Sequence, residues 1–262
     1  MGCVTMGNGR FVMLAACLAT AVAGRTAAAV DVTTVRLGVP PAETAGTKRA
    51  PALPTAYVVE ARTAVKVDGK LDDPVWKRAA PISLGTMTAK GTPSAATQVL
   101  LLHRDGLLYI GFRLDEPNVD RMRRSVTRPD GPVYQDDSVE VFLSPRGGSR
   151  WCQFIVGAGG ALADSKDRSR AWNSGARYEV VVGKVGWSVE MAIPFAALGA
   201  GEQAPRMWRG NFYRNRHAGG RGENNAWSPT LRGGGRSTMS VRRVGKRATV
   251  THIALHAAVR LQ

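Results

Sequence analysis

The strongest constraint on the fold is the sequence pattern from Tyr57 to Val250, in which short apolar runs are separated repeatedly by Gly, Asp, Asn and Pro. Between residues 187 and 192, Trp, Val and Met alternate with Ser, Glu and Ala, which is the period-two pattern of a half-buried strand. Helical signal is slight: a short helix is expected after Asp72-Asp73-Pro74, and one further turn at Pro194–Gly199. The pattern predicts an all-β fold, an antiparallel, jelly-roll-like β-sandwich with one or two short helices.

Turn residues separate the apolar runs and set the strand boundaries. The segments His103-Arg104-Asp105-Gly106 and Gly183-Lys184-Val185-Gly186 each predict a hairpin, and Asp68-Gly69 predicts a turn with a positive φ at the glycine. We predict strands at Tyr57–Ala61, Val65–Val67, Thr97–His103, Leu107–Leu114, Ser138–Leu143, Trp151–Gly157, Tyr178–Val182, Gly186–Ile193 and Gly210–Arg214, with a last one near Ala248–Val250.

The first 23 residues have the pattern of an export signal rather than of a folded element. Arg10 precedes an apolar run, and the run ends in Ala21-Val22-Ala23, a small-x-small pattern that signal peptidase accepts. The run is shorter than the roughly 20 apolar residues of a transmembrane helix, so no transmembrane anchor is expected. Two alternatives remain: a lipoprotein box at Leu14–Cys17, with Cys17 acylated, and a buried N-terminal helix. A secreted, periplasmic or cell-surface protein is predicted.

Composition divides the rest of the chain into a linker, one domain and a tail. Residues 24–55 are rich in Ala, Thr, Pro and Val and predict a flexible linker, 56–250 form the sandwich, and 251–262 form a C-terminal tail. Signal cleavage would leave Cys152 as the single cysteine, so no intramolecular disulfide is expected and a hydrophobic core must stabilise the domain. His252 and His256, spaced for a metal on a helix, are more simply part of an unstructured tail.

The net charge of +16 favours association with polyanions such as acidic polysaccharide, nucleic acid or anionic lipid. The alternative is that arginine is the surface residue of choice in this chain, because the basic residues are scattered over many predicted loops. No specific nucleic-acid partner is predicted.

Seven segments, in order and spacing, resemble the family-nine carbohydrate-binding modules within the wider DOMON-like group of β-sandwiches. They cover nearly all of Val65 to Gly245: Val67–Trp76 (VDGKLDDPVW), Leu108–Phe112 with Asp115-Glu116-Pro117, Asp137–Leu143 (DSVEVFL), Gln153-Phe154, Gly186–Phe195 (GWSVEMAIPF), Asn211–Arg214 and Trp227-Ser228-Pro229. The resemblance implies a module that binds sugar. Trp76, Trp187 and Glu190 are also expected from simple packing: the two tryptophans as core residues and the glutamate as a satisfied structural carboxylate.

The resemblance further implies a site in which aromatic side chains sandwich a terminal sugar and polar groups hold its hydroxyls. Tyr134 occupies the position of one aromatic and Glu140 that of the hydroxyl acceptor, with Gln135 and Asp137 as neighbours. The chain departs from the pattern twice: no aromatic occurs in 231–238, where the second would lie, and Ile155 stands in place of an arginine. The candidate substitutes are Trp172, Trp227, Arg214 and Arg232.

Catalysis by this chain is not expected. A glycosidase needs two carboxylates facing one cleft, whereas Asp137 and Glu140 are three apart on a strand and point to opposite faces. The resemblance links the chain to polysaccharide breakdown only because such modules are often attached to glycoside hydrolases. It also implies structural calcium, for which Asp115, Glu116 and Asp136 are the candidate ligands, although turn capping or pairing with the nearby arginines is the preferred explanation of these carboxylates.

Two other functions stay open. Some DOMON-like sandwiches hold haem for electron transfer, and the available ligands here are Met122, Met191, Met207 and His103, with no convincing pair among them. The third possibility is an arginine-driven binder of acidic glycans, whose affinity would fall steeply with salt.

Overall fold

The computed structural model describes residues 54–144, 150–199 and 207–229, together with the strand backbone at 243–244, 247–248 and 257–261. The predicted signal, the linker up to residue 53, His252 and His256 lie outside these residues. The strands are β1 Thr55–Glu60, β2 Ile82–Ser83, β3 Gly85–Thr86, β4 Thr97–Arg104, β5 Leu107–Asp115, β6 Ser138–Ser144, β7 Cys152–Gly157, β8 Leu162–Lys166, β9 Arg177–Val182, β10 Gly186–Pro194, β11 Met207–Arg216, β12 Glu223–Ala226, β13 Arg243–Val244, β14 Arg247–Ala248 and β15 Ala257–Leu261. Short 3-10 helices lie at Pro74–Arg78, Val119–Arg121 and Val133–Gln135.

Two largely antiparallel sheets form the sandwich. The first sheet has the order β8-β7-β6-β11-β15, with β12 beside β11 and β3 beside β12, and the second has the order β4-β5-β10-β9, with β2 beside β4. Strand β1 joins the two sheets, because Thr55–Val58 pairs in parallel with β15 whereas Val59 and Glu60 pair in parallel with β4. The predicted all-β sandwich is confirmed.

The main hydrophobic core fills the space between the sheets. Successive side chains of a strand point to opposite faces, so every second residue of β5, β6, β7 and β10 enters this core. Its buried members include Ile110, Phe112, Val139, Val141, Leu143, Phe154, Val156, Trp187, Val189, Met191, Trp208 and Phe212. The side chains between them, Glu140 and Glu190 among them, therefore lie on the outer faces of the two sheets.

The outer face of the second sheet is covered by the segment from Ala61 to Ala79. Trp76 is buried there with Leu71 and Val75 against β4 and β5. A Cβ on Gly111 would collide with Leu71, so the absence of a side chain at this position lets the segment pack closely. The predicted burial of Trp76 is confirmed.

Most predicted strands are present, with their ends shifted by a few residues. The predicted strand Val65–Val67 is wrong: those residues belong to the covering segment and pair with no strand. The turn predictions are confirmed, since Gly69 has φ +81° and the β4–β5 hairpin has Asp105 at +47° and Gly106 at +75°. At the C-terminus, the closing strand is β15, in residues that the sequence assigned to the tail.

Candidate functional site

A half-buried carboxylate on β6 is the centre of a polar cluster on the outer face of the first sheet. Gln153 on β7 donates a hydrogen bond from Nε2 to Glu140 Oε2 at 2.8 Å. Asn215 on β11 donates one from Nδ2 to Glu140 Oε1 at 2.7 Å. Each oxygen of Glu140 is thus held by an amide from a neighbouring strand, and the carboxylate is fixed in place.

Burial and the two amide donors determine the pKa of Glu140 and the number of hydrogen bonds that its carboxylate accepts. Burial raises the pKa of Glu140 above its usual value, and the hydrogen bonds from Asn215 and Gln153 only partly oppose that shift. A carboxylate has about four lone-pair positions, and two are used by the amides. Glu140 is partly exposed as a residue, and its two amide partners leave the other positions unused.

An exposed aromatic ring lies at the end of the same sheet. Tyr134 belongs to the 3-10 helix Val133–Gln135, which two residues, Asp136 and Asp137, separate from the start of β6. Val133 is fully buried against Ile155 and Ala163, on the outer face of β7 and β8, whereas Tyr134 is 47% exposed. Val133 therefore anchors the helix to the face that carries Glu140, and the Tyr134 ring is left accessible to solvent.

The two carboxylates that follow Tyr134 hold the loop together. Asp137 accepts hydrogen bonds from the backbone N–H groups of Arg123 at 2.8 Å and His217 at 3.0 Å. Asp136 accepts from Ser125 Oγ at 2.9 Å and from the Val126 N–H at 2.6 Å. Both aspartates are buried. Asp137 therefore positions the loop rather than facing solvent beside Gln135, which is exposed.

The strands on either side of Glu140 present apolar and aromatic neighbours. Ile155 lies directly opposite Glu140 on β7, and Tyr213 lies opposite it on β11. Ile155 is buried in the cluster around Val133, so β7 offers no guanidinium beside Glu140. The loop 231–238, where the sequence shows no second aromatic, lies outside the described residues together with Arg232.

Three predicted contact residues lie on the core side of the first sheet, away from Glu140. The Trp172 ring packs edge-on against Phe154 with centroids 5.9 Å apart, and the Trp227 ring packs against Phe212 at 5.6 Å. The Arg214 side chain points inward and is fully buried. The structure does not bring these three side chains to the cluster around Glu140.

Arg214 is instead part of a buried ionic network at one end of the sandwich. Glu116 accepts hydrogen bonds from Arg214 Nη2 at 2.9 Å and from Arg216 Nε and Nη2 at 2.7 and 2.8 Å. Burial raises the pKa of Glu116, but the hydrogen bonds from Arg216 and the Asn118 N–H, with the charges of both arginines, outweigh it, so the pKa lies below its usual value. Two guanidinium groups thus compensate one buried carboxylate.

These contacts bear on the candidate calcium ligands. Both oxygens of Glu116 are bound by guanidinium groups, and the oxygens of Asp136 are bound by Ser125 and Val126. A calcium site needs six to eight oxygen ligands around one point, and a cation beside two guanidinium groups would be repelled. Glu116 and Asp136 therefore do not fit a calcium ion, and the exposed side chain of Asp115 is left without these two as partner ligands. No arrangement of three or more His, Cys, Asp or Glu side chains suited to a metal occurs in 54–144, 150–199 or 207–229.

The candidate haem ligands have ordinary packing roles where they are described. Met122 and Met191 are buried among apolar side chains of the core between the sheets. His103 lies half-buried on β4, opposite Leu108 of β5. The side chain of Met207 lies outside the described residues.

Sequence reasoning missed the amides that hold Glu140. Gln153 was part of a recognised motif, but nothing in that motif distinguishes a ligand contact from support of a neighbouring carboxylate. Asn215 lies two residues after Tyr213 on β11, so strand alternation puts it on the outer face. Its pairing with Glu140 depends on the register of β6 and β11, which joins residues more than seventy positions apart.

Comparison with known proteins gives a family match and several similar folds. A family model described as "Carbohydrate family 9 binding domain-like" matches residues 67–211, more than half of the 262-residue chain. A proposed carbohydrate-binding protein from Bacteroides uniformis ATCC 8492 is similar in structure, with a TM-score of 0.57, 16% identity, and coverage of 79% of this chain and 99% of that one. No curated protein gives a significant match.

Two structures of a family 9 carbohydrate-binding module from Caldicellulosiruptor kristjanssonii are also similar. The complex with cellotriose has a TM-score of 0.54 and 15% identity, and covers 79% of this chain and 93% of that one. The complex with glucose has a TM-score of 0.53 and 15% identity, and covers 79% of this chain and 95% of that one.

Within the described residues, no helix has the length and apolar character needed to cross a membrane.

Proposed function

Since this chain belongs to the carbohydrate family 9 binding domain-like proteins, we propose that it is an exported, non-catalytic carbohydrate-binding module that serves polysaccharide breakdown. One observation carries the assignment of the site: Glu140 is held by Gln153 and Asn215 on an outer sheet face and keeps free acceptor positions. Such a fixed acceptor matches the hydroxyl groups of a sugar.

The proposed binding mode combines stacking with hydrogen bonding. The exposed ring of Tyr134 packs on the C–H face of a sugar, where an aromatic surface gains contact area at low entropic cost. Glu140 accepts hydrogen bonds from sugar hydroxyls, and Gln135 adds a polar contact from the edge of the loop. With Ile155 beside Glu140, β7 adds no charged donor, so we expect weaker binding than a site closed by two aromatics and a guanidinium would give.

The absence of catalysis in this proposal rests on the carboxylates at the site. Asp136 and Asp137 are buried and bound by loop donors, so Glu140 has no second carboxylate facing the same outer surface from β6. Glycoside hydrolysis needs an acid and a base or nucleophile on either side of one bond. The resemblance to modules that accompany glycoside hydrolases supports delivery of a separate enzyme to its substrate.

Export is proposed on the sequence of residues 1–23. The N-terminal residue of the protein recovered from the medium or periplasm of an expressing cell tests it: cleavage after Ala23 gives a chain beginning at Gly24. A lipid-modified chain beginning at Cys17 would support the lipoprotein alternative, and recovery of the intact chain in the cytoplasm would contradict export.

Calorimetric titration with cellotriose and glucose, followed by a wider glycan array, tests the binding proposal. We expect Tyr134→Ala to weaken binding about tenfold or more, because a stacked aromatic contributes on the order of 1–3 kcal/mol. Val185→Ser is the matched control: Val185 is the other large, exposed apolar side chain among the described residues and lies on the β9–β10 hairpin of the second sheet. Equal losses in both variants, or saccharide binding that survives Tyr134→Ala, would overturn the proposed site.

The haem alternative is tested on the same sample. The purified protein, supplied with haem, is expected to show no Soret band after gel filtration, because Met122 and Met191 are packed among core side chains. A retained band would reject the carbohydrate proposal in favour of electron transfer.

A further inference from the structure

Three exposed arginines lie on the loop that carries Tyr134. Arg123, Arg124 and Arg128 all have exposed side chains. Among the described residues, none of their guanidinium groups takes part in an ion pair or a side-chain hydrogen bond. The recorded ion pairs of the described residues lie elsewhere, as in the Lys66–Asp68 and Glu116–Arg216 contacts. These three positive charges are therefore available to a ligand.

The loop uses its own carboxylates without neutralising these arginines. Asp136 and Asp137 turn inward and accept hydrogen bonds from Ser125 Oγ and from backbone N–H groups, including that of Arg123. Backbone donors satisfy a carboxylate but place no counter-charge beside the guanidinium groups. The solvent-facing side of the loop thus carries the three arginines against one exposed carboxylate, that of Asp130, and its net charge is positive.

A short turn at the end of β7 packs against the backbone of the arginine segment and against the residue that precedes Tyr134. The turn after β7 packs against both parts of the loop: a Cβ on Gly159 would lie 2.8 Å from the Arg124 carbonyl oxygen, and a Cβ on Gly157 would lie 2.9 Å from a methyl of Val133. Val133 precedes Tyr134 directly. The backbone of Arg124 and the residue before Tyr134 thus pack against the same short turn, so the backbone that carries the arginines lies at the same end of the sheet as Tyr134.

We propose that the saccharide bound at Tyr134 and Glu140 is acidic, with carboxylate or sulfate groups on the sugar units that flank the stacked ring. This inference rests on the proposed function and names its substrate class. Guanidinium groups bind carboxylate and sulfate through paired N–H donors, and Glu140 requires that the central unit present hydroxyls rather than its own negative charge. The arginine loop thereby replaces the charged donor that Ile155 does not supply.

The observations favour a glycan over other polyanions. A nucleic acid presents a phosphate at every unit, and a fixed carboxylate such as Glu140 at the centre of the site opposes such a backbone. In the part of the chain that the structure describes, Tyr134 is the one aromatic side chain that is exposed, so it offers one stacking position rather than the series that single-stranded nucleic acids use. A glycan with spaced charges satisfies both features.

The test compares charged and neutral polymers in affinity electrophoresis and titration. Polygalacturonate and its methyl ester share one sugar backbone and differ in charge, and chondroitin and chondroitin sulfate share their carboxylates and differ in sulfate. Cello-oligosaccharides and a single-stranded DNA oligomer complete the panel. Salt is set at about 0.1 M and about 1 M, across which the screening length falls from about 10 to about 3 Å. We expect an acidic glycan to bind more tightly than every neutral one, and its affinity to fall about tenfold or more with salt.

Matched variants assign the effect to the loop. The variant R123Q/R124Q/R128Q removes three charges beside Tyr134, and R62Q/K77Q/R78Q removes three from the exposed side of the segment covering the second sheet. Because an exposed pair contributes a factor of about two to five in affinity, the first variant should weaken acidic-glycan binding about tenfold or more, and the second less than about twofold. All six side chains are exposed, and circular dichroism checks that both variants fold.

The outcomes separate this inference from the proposed function. Preferential binding of neutral sugars that is lost in Tyr134→Ala would overturn the acidic class and keep the module. Equal losses in the two triple variants, or DNA binding as tight as that of the best glycan and insensitive to Tyr134→Ala, would overturn the inference in favour of general polyanion attraction. No saccharide binding at all would overturn both.

Discussion

Two glutamates, one on each outer sheet face, differ in how many hydrogen-bond donors their carboxylates have. Glu190 Oε2 accepts hydrogen bonds from the N–H groups of Asp68 at 2.7 Å and Gly69 at 2.8 Å. Glu190 Oε1 accepts from the Leu71 N–H at 3.1 Å and from Trp76 Nε1 at 2.9 Å. These four donors leave no position for a ligand, whereas Glu140 has only two amide donors.

Replacing each glutamate by glutamine separates the two roles. Glu190→Gln puts an N–H₂ group against backbone donors in a buried place, so we expect it to lower the free energy of unfolding by about 2–4 kcal/mol. Glu140→Gln should change the free energy of unfolding by less than about 1.5 kcal/mol but weaken sugar binding about tenfold. Urea denaturation and titration of both variants check this. A Glu140→Gln variant that binds normally would remove Glu140 from the site.

Sugar binding should depend on pH through Glu140. Burial raises the pKa of Glu140. On acidification this carboxylate therefore protonates at a higher pH than an ordinary glutamate, whose pKa is about 4.3. The free energy that the protonated group adds to folding is fully present below that ordinary value and is lost as pH rises through the raised pKa. Binding changes in the opposite sense, since the carboxylate is the acceptor: affinity should rise with pH across the raised pKa. Titrations across the acidic range, with Glu140→Gln as the pH-insensitive control, measure this.

At the scale of the element, strand β11 divides its residues between two functions by alternation. Arg214 and Arg216 point inward and bind Glu116, whereas Tyr213 and Asn215 point outward beside β6. The sequence offered Arg214 as a sugar contact because arginine is a common ligand of hydroxyls. Arg214 lies two residues after the core residue Phe212 on the same strand, and this spacing indicates that its side chain points to the inner face of the sheet. The sequence alone cannot identify Glu116, almost a hundred residues away, as its partner.

The Glu116 network should make the fold sensitive to acid. The pKa of Glu116 is lowered by its arginine partners, so its contribution is present above the unfolded carboxyl pKa of about 4.3 and is lost as pH falls through the lower folded value. We expect Glu116→Gln to lower the free energy of unfolding by about 3–5 kcal/mol at neutral pH, because two buried guanidinium groups lose their counter-charge. The difference from the wild type should shrink below about pH 4.

Urea denaturation at neutral and acidic pH checks this prediction, with Glu179→Gln as the control on exposed strand β9. A constant difference between the wild type and Glu116→Gln at all pH values would contradict the ionic role of the network.

Strand prediction succeeded or failed according to how much local pattern each element has. The strands β5, β6 and β10 carry long apolar alternation and were predicted within about two residues. Strand β8, Leu162–Lys166, is mostly small and polar and was missed, because it has no apolar alternation and its pairing with β7 determines it. Val65–Val67 has strand-like residues, yet the hydrogen bonds from Asp68, Gly69 and Leu71 to Glu190 hold the neighbouring segment across a sheet face.

At the scale of the whole molecule, the sandwich is closed by contacts between distant parts of the chain. Strand β1 pairs with β15 near the C-terminus and with β4, and so joins the two sheets. The order of motifs predicted the two sheets, but the parallel pairing of β1 has no local signature. The position of Tyr134 was predicted from resemblance. The support of Glu140 by Gln153 and Asn215 could not be predicted, because it needs the register of three strands.

The stability of the whole domain should not depend on calcium. The candidate ligands Glu116 and Asp136 are already bound, by Arg214 and Arg216 in one case and by Ser125 and Val126 in the other. A ligand that binds only the folded state raises the unfolding temperature with its concentration. We therefore expect equal unfolding midpoints, within about 1 °C, in excess EDTA and in about 1 mM CaCl₂. An ion that did bind would be detected, because calcium at one hundred times its Kd would add about 2.7 kcal/mol and raise the midpoint by several degrees. Calcium-dependent stabilisation of several degrees, lost in Asp136→Asn, would show that the Asp136 loop rearranges to take up the ion.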